Sequence, residues 1–461
     1  MIHKKSKNKL SVSDISTYAS RYDLDNDTLA SISKSGMPAK VAKQLITDEL
    51  HLEGTPVLNL ASFVTTWMEP EADDLIMQCI SKNFIDHDEY PQVEKFHERC
   101  IHILADLLHA SGNKDYVGTG TIGSSEAIML AGLAHKFNWR NKRKAENKPF
   151  DKPNVIIGSN TQICWDKFAR YFDVEPRIIP IAKDRYYITA EDVAPLIDEN
   201  TICVAAILGT TFTGEYDEIE QINDLLVKIK EQYGWNIPLH VDGASGGFIS
   251  MFRDDGIKWD FRLEQVQSIN LSGHKYGLVY PGIGWLLFKD EKVIPDDLVF
   301  KVNYLGGDMP TYTLNFSRGS AMVVAQYYNF LRLGINGYTR IVNNMMKVSD
   351  YLAAELVKSK HFSILGGSRR MEPVVTFCLN DGQKNAYEIS SALRAYGWIV
   401  PAYSMPQNAE EIIALRVVVK ENFSMTLAAD FLRDLNKVMT SLSSHAKSEM
   451  AAERQGKKMT H

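Results

Sequence analysis

At 461 residues, with 45% apolar and 23% charged side chains, the chain has an ordinary globular composition and the length for one large and one small domain. A net charge of −6 and an isoelectric point near 6.1 exclude the basic footprint of a nucleic-acid binder. No apolar run reaches the length of a membrane span, and Met1-Ile2-His3-Lys4-Lys5-Ser6-Lys7 lacks the apolar core expected of a signal peptide. Cys79, Cys100, Cys164, Cys203 and Cys378 show neither metal-ligand spacing nor a disulfide framework, so reduced packing thiols in a cytoplasmic protein are expected.

Residues 1–57 read as a leading arm, with helical spacing over residues 11–21 and 41–50, that packs on a partner subunit or stays loose. Residues 59–67 and 81–91 are loop-like and rich in hydroxyl, amide and aromatic groups. They suit either caps and turns or the wall of a pocket for a small polar substrate. A helix is expected over residues 100–110, with Ile103, Leu104, Leu107 and Leu108 on one face. The stretch Val117-Gly118-Thr119-Gly120-Thr121-Ile122-Gly123-Ser124-Ser125-Glu126-Ala127 follows. Its serines open a helix with Ala127, Leu130, Ala131, Ala134 and Phe137 on the apolar face. Two readings stand for Ser124 and Ser125: plain N-capping, or a phosphate cradle at a helix N-terminus. The spacing is that of neither a nucleotide P-loop nor a dinucleotide fingerprint.

From residue 150 to 290, short apolar runs alternate with amphipathic stretches, the βαβ signature of a mostly parallel sheet covered on both faces. Residues 155–158 and 201–209 read as buried strands and residues 219–233 as a returning helix. Residues 237–241 read as a strand ending at Asp242, and residues 268–271 as a strand delivering Ser272, His274 and Lys275 to the same edge. The carboxyl ends of such strands are where open α/β sheets bind ligands. An acid able to keep a pyridine nitrogen protonated, and a lysine able to form a Schiff base, are the two groups that pyridoxal phosphate requires of a protein. Thr210-Thr211-Phe212-Thr213-Gly214 leaves a strand at that edge. Gln162 and Trp165 precede a helix, where an amide or aromatic plane can lie over a flat ring. Residues 304–307 and 315–319 are turn-rich and lead to a helix over 321–333 that Gly334 ends.

Beyond residue 344 the pattern becomes a smaller α+β unit. Helices are expected over 345–357 and 386–396, strands over 373–379 and 412–420, and a closing helix over 424–443 before a polar tail. On the last strand, alternation sets Arg416 opposite Ile413, Leu415, Val417 and Val419. It is either a carboxylate clamp or a structural salt bridge.

The large parallel-sheet domain with a small C-terminal domain resembles the aspartate-aminotransferase-like fold type I of pyridoxal phosphate enzymes. Longer strings go further: Ile122-Gly123-Ser124-Ser125-Glu126-Ala127, Gln162-Ile163-Cys164-Trp165, His240-Val241-Asp242-Gly243-Ala244-Ser245-Gly246-Gly247-Phe248, Ser272-Gly273-His274-Lys275 and Tyr304-Leu305-Gly306-Gly307. With Lys167-Phe168-Ala169-Arg170-Tyr171 and Trp259-Asp260-Phe261-Arg262-Leu263, they closely resemble glutamate decarboxylases of the bacterial and plant type, in order from about residue 35 to about residue 440. The resemblance implies domains at 1–57, 58–344 and 345–461, and proton-consuming α-decarboxylation of L-glutamate, which supports acid resistance in bacteria. It also implies a homodimer or homohexamer with sites at the dimer interface.

By the same resemblance, Lys275 carries the cofactor and Asp242 holds its ring nitrogen protonated. Ser124, Ser125, Ser272 and His274 bind the phosphate, with Ser317 reaching in from a neighbouring subunit. Gln162 and Ala244 flank the ring and Thr211 lies beside it. Arg416 takes the α-carboxylate, and Ser62, Phe63, Asn83 and Asp86 take the distal one. Position 62 is serine where bacterial members usually carry threonine, and Asp166 replaces a common histidine. His461 is the candidate for the histidine that closes the bacterial site at neutral pH. Aromatic amino-acid decarboxylation or carbon–carbon lyase chemistry would use the same lysine and aspartate. The Ser62/Asn83 pocket and glutamine at 162 argue against the aromatic type.

Overall fold

A computed structural model describes residues 31–32, 36–110, 112, 115–182, 184–253, 256–302, 309–380 and 385–458. Residues 11–21, Tyr304 to Gly307 and His461 therefore lie outside the described residues. The chain forms two compact units, Met1–Thr55 and Pro56–His461. In the first, the helix Ala39–Leu50 begins right after Pro38 and has no buried residue.

The second unit is built on a seven-stranded sheet. In chain order its strands are β1 (Val117–Thr121), β2 (Asn154–Gly158), β3 (Glu175–Ile179), β4 (Thr201–Ile207), β5 (Leu239–Gly243), β6 (Val266–Leu271) and β7 (Gly284–Phe288). The spatial order is β1-β7-β6-β5-β4-β2-β3, and β7 runs antiparallel to both neighbours. Every residue of β2, β4, β5 and β7 is buried, as strands covered on both faces require. β4, β5 and β6 run parallel and end at one edge, so Asp242, Thr211 and the turn carrying Lys275 meet there.

The 219–233 helix appears where periodicity places it and stops at Gly234, whose φ of 73° is the left-handed cap that glycine accepts most easily. The helix expected over 100–110 is longer, Pro91–Leu107, because Pro91 at its first turn sets the start. The helix Pro70–Cys79 was not anticipated. The segment Ala321–Lys358 is helical on both sides of Gly334, whose φ of 54° and ψ of −173° break the run there as the sequence suggests.

A second, antiparallel sheet is ordered β10-β11-β13-β12, made of β10 (Phe362–Ile364), β11 (Val374–Leu379), β12 (Ala402–Ser404) and β13 (Ile413–Val418). The short hairpin β8 (Phe300–Val302) and β9 (Met309–Thr311) stands apart. The closing helix, Met425–Lys458, runs well past residue 443.

One extended segment ties the second sheet to the first. The Leu60 amide donates to the Ile399 carbonyl and Val418 donates to the Leu60 carbonyl. Farther along, Thr65 donates through its amide to the His274 carbonyl and through Oγ1 to the Lys275 carbonyl, at 2.9 and 2.8 Å. Ala61, Ser62 and Phe63 are thereby held between the small sheet and the lysine turn.

Candidate active site

A cleft of about 790 Å³ opens at the carboxyl ends of β4, β5 and β6. Its walls include Ser62, Phe63, Ser124, Ser125, Gln162, Thr211, Asp242, Ala244, Ser272, His274 and Lys275, so residues far apart in sequence meet as expected.

Asp242 ends β5 and is almost fully buried. Its carboxylate accepts from Trp165 Nε1 (3.0 Å) and Asn270 Nδ2 (2.9 Å), and from the Ala244 amide (3.2 Å). All three contacts are N–H donors, so the carboxylate acts here only as an acceptor. Trp165 corrects one sequence reading. It is fully buried and bonded to Asp242 rather than lying over the cleft, because its helix, Ile163–Tyr171, turns its apolar face onto the sheet.

Lys275 sits in the turn after β6, its Nζ 5.3 Å from the centre of the Phe63 ring. Burial lowers its ammonium pKa, opposed by attraction to Asp242 and Glu372. The same ring is near a second cation: Arg416 Cζ lies 5.1 Å from its centre. Arg416 makes no salt bridge among the described residues. Its Nη1 donates to the Thr211 carbonyl (2.6 Å) and Oγ1 (3.2 Å), and its Nη2 to the Ala61 carbonyl (2.6 Å). It braces the cleft wall from behind, and its Nε is buried without a hydrogen-bond partner among the described residues.

At the far wall, the helix Ser124–Ala145 points its N-terminus into the cleft, with Gly123 as N-cap and no side-chain cap. The capping reading of the serines therefore fails, since Ser124 Oγ instead shares a 2.8 Å hydrogen bond with Ser272 Oγ. Glu126 is buried but satisfied, accepting from the Ile122, Leu314 and Asn315 amides. His274 Nδ1 is buried without a partner among the described residues, and a Cβ on Gly123 would come within 3.1 Å of its Cε1. Burial first, and Lys275 second, hold His274 down at about 4. An uncapped helix N-terminus, two hydroxyls and an orphaned imidazole nitrogen form a cradle for an anion, and a fixed carboxylate and a depressed lysine stand beyond it. These residues fit pyridoxal phosphate.

Besides Arg416, which stands behind the wall, three predicted residues lie outside the cleft lining of a single chain. Asn83 Nδ2 donates to Ser317 Oγ at 3.4 Å, its Oδ1 accepts from the Arg318 amide, and Asp86 Oδ1 accepts from the Glu89 amide. None of the three lines the cleft. Sequence reasoning also missed Asn270 and Glu372. Glu372 is fully buried, so close to the main chain that a Cβ on Gly209 or Gly246 would collide with its carboxyl. Burial pushes its pKa up to about 8.

Comparison with known proteins agrees with this geometry. Residues 34–380 match the pyridoxal-dependent decarboxylase conserved domain. Glutamate decarboxylase of Petunia hybrida is 50% identical over 96% of this chain and 89% of its own length. That of Lactococcus lactis is 42% identical over 89% of each. Among solved structures, glutamate decarboxylase of Lactobacillus brevis superposes with a TM-score of 0.87 at 40% identity, covering 89% of this chain and 94% of its own. The fold is therefore fold type I, the cofactor is pyridoxal phosphate, and the chain belongs to the glutamate decarboxylases, within the pyridoxal-dependent decarboxylase family.

Proposed function

We propose that the cleft decarboxylates L-glutamate at Cα, giving 4-aminobutanoate and carbon dioxide and consuming a proton. The observation that carries this reading is the convergence of Lys275, Asp242 and an uncapped helix N-terminus on one cleft. Bound pyridoxal phosphate supplies an electron sink for the carbanion left as carbon dioxide departs.

Lys275 is the attachment residue, and its burial favours the neutral, nucleophilic amine. Asp242, held in place by three N–H donors, would keep a proton on the ring nitrogen. Ser124, Ser125, Ser272 and His274 take the phosphate, Gln162 and Ala244 flank the ring, and Thr211 lies beside it. Arg416 orients the α-carboxylate, which selects the bond that breaks. Phe63 lies near both cations, with Lys275 Nζ and Arg416 Cζ at 5.3 and 5.1 Å from its ring centre.

Ser62 and Phe63 line the distal end of the pocket. Asn83, Asp86 and Ser317 act across a subunit boundary in a homodimer or homohexamer, a role supported by their lying outside the cleft of a single chain. Five unpaired cysteines support a cytoplasmic location, and proton consumption suits acid resistance in a bacterium.

The test is an absorbance spectrum of the purified protein, followed by addition of L-glutamate. A visible cofactor band that is lost in Lys275→Ala, with stoichiometric 4-aminobutanoate, is expected. A band without turnover of glutamate would refute the substrate, and no band with added pyridoxal phosphate would refute the site.

A further inference from the structure

Behind Asp242 the interior of the sheet is unusually polar. Period-2 alternation sets His240 and Asp242 on one face of β5, and Ser268 and Asn270 on the same face of β6. The strand register pairs His240 with Ser268 and Asp242 with Asn270. All four are almost fully buried. The helix Ser124–Ala145 lays His135, also buried, over the far end of this stripe.

The contacts form one unbroken chain. His135 Nε2 lies 2.7 Å from Ser268 Oγ, and Ser268 Oγ lies 2.7 Å from His240 Nδ1. His240 Nε2 lies 2.7 Å from Asn270 Oδ1, and Asn270 Nδ2 donates to Asp242 Oδ1 at 2.9 Å. The donors sort themselves out from the Asp242 end. An ionised carboxylate accepts only, so Asn270 turns its amide nitrogen toward Asp242 and its oxygen toward His240. His240 must then donate from Nε2 and, being neutral, accept at Nδ1 from the Ser268 hydroxyl. Ser268 accepts in turn from His135 Nε2. Burial lowers the pKa of both histidines, that of His135 to about 3, so both rings stay neutral and each keeps one tautomer.

We infer that His135, Ser268 and His240 are positioning residues for Asp242: through Asn270 they fix which side of an amide faces the carboxylate. Every link donates toward Asp242, so the state of His135 is transmitted to the cofactor-facing acid. His135 also lines a second cleft at the amino ends of β4, β5 and β6, together with Trp139, Arg143 and Trp235, so the chain crosses the sheet from one ligand-accessible edge to the other. The other ionisable groups facing Asp242 are Lys275, Glu372 and Cys164. None of them belongs to this chain of bonds.

The inference rests on Asp242 facing the cofactor ring. Its test uses the cofactor-loaded enzyme and two readouts besides turnover. In the unmodified enzyme, nitrogen-15 histidine spectra should show His135 and His240 as neutral Nε2–H tautomers between about pH 5 and 8. A charged ring or an Nδ1–H tautomer in either would overturn the inference. In Ser268→Ala, His240 loses its Nδ1 donor and the Asn270 amide is free to flip, turning oxygen toward the carboxylate. The pH midpoint of the visible cofactor band should rise by about one unit, because a carboxylate robbed of a donor is more negative and favours the protonated form, and cofactor dissociation should rise about tenfold, both restored in Ser268→Thr.

A lowered melting temperature with an unmoved midpoint would mean a merely structural role and refute the inference. Should Ser268→Ala fail to fold, His135→Phe probes the chain from its far end: an unchanged His240 tautomer and band midpoint there would count against it. Asp242→Asn separates the two readings. If that variant leaves the cofactor spectrum unchanged, the cofactor assignment fails. If it alters the spectrum while Ser268→Ala does not, only the relay fails.

Discussion

Trp165 donates its indole N–H to Asp242 at 3.0 Å, a bond between a helix and a strand that are 77 positions apart. The indole also meets His240 edge-on, with ring centres 5.4 Å apart, so one residue steadies both the acid and the ring beneath it. Hydrogen bonds to charged groups contribute about 1.5–3 kcal/mol. Trp165→Phe keeps most of the packing and removes the donor. Cofactor affinity is expected to fall about ten- to a hundredfold, read by titrating the apoprotein with pyridoxal phosphate. An unchanged affinity would show that the bond does not fix the working position of Asp242.

His274 has a pKa near 4 in the cofactor-free protein because it is buried, against an ordinary 6.5. The unfolded chain therefore binds more protons than the folded one across that interval. Stability from this residue is complete above about pH 6.5 and lost as pH falls toward about 4. A phosphate beside the imidazole favours the charged ring, so cofactor binding should take up protons in this window. Calorimetry at about pH 5.5 in two buffers of different ionisation heat measures this uptake. It should vanish in His274→Gln.

Glu372 behaves in the opposite sense. Its pKa is raised by burial from 4.5 to about 8, so the folded protein keeps a proton that the unfolded chain gives up. Apoprotein stability should therefore decline as pH rises from about 4.5 to about 8, and Glu372→Gln should flatten that decline. Urea midpoints at about pH 5 and pH 8 test it. Parallel losses in parent and variant would assign the decline to another group, such as Asp217, also raised by burial to about 7.

Arg416 reaches two separate carbonyls with two different nitrogens, which a single ammonium cannot reproduce. Arg416→Lys should raise the KM for glutamate and lower kcat/KM by about a hundredfold, with a loss of about 1–3 kcal/mol in stability from the unpaired carbonyls. Steady-state kinetics and urea unfolding of one preparation distinguish the two effects. A variant with normal kinetics but lowered stability would make Arg416 a brace and not a substrate ligand.

Much of this site is legible in the sequence because its key groups follow apolar runs. β5 and β6 announce themselves by hydrophobicity, and the residues just after them fall at the ligand edge by topology alone. β1 is different. Val117-Gly118-Thr119-Gly120-Thr121 has the composition of a loop, yet pairs along its whole length with β7. Its glycines answer to close packing: a Cβ at Gly118 would lie 3.0 Å from the Leu286 carbonyl oxygen, a contact with no trace in local composition. Arg416 shows the limit of reasoning from residue type. Neither expectation for it included the main-chain oxygens of Thr211 and Ala61, two distant segments that its terminal nitrogens reach here. The His240/Asp242 and Ser268/Asn270 pairs did carry a signal, two polar residues at period 2 inside strands that are otherwise apolar. Recognising it requires knowing that the two strands are neighbours.

The pairing of β5 with β6 also bears on which sequence changes this protein can survive. Side chains alternate between faces, so inserting or deleting one residue in either strand would carry its polar set to the opposite side of the sheet. Point substitutions weaken one contact at a time, whereas a single-codon shift there would separate Asp242 from Asn270 and strand His240 from Ser268 in one step. Length variation among descendants of this sequence should therefore collect in the connections at the sheet edges and spare residues 239–243 and 266–271 altogether.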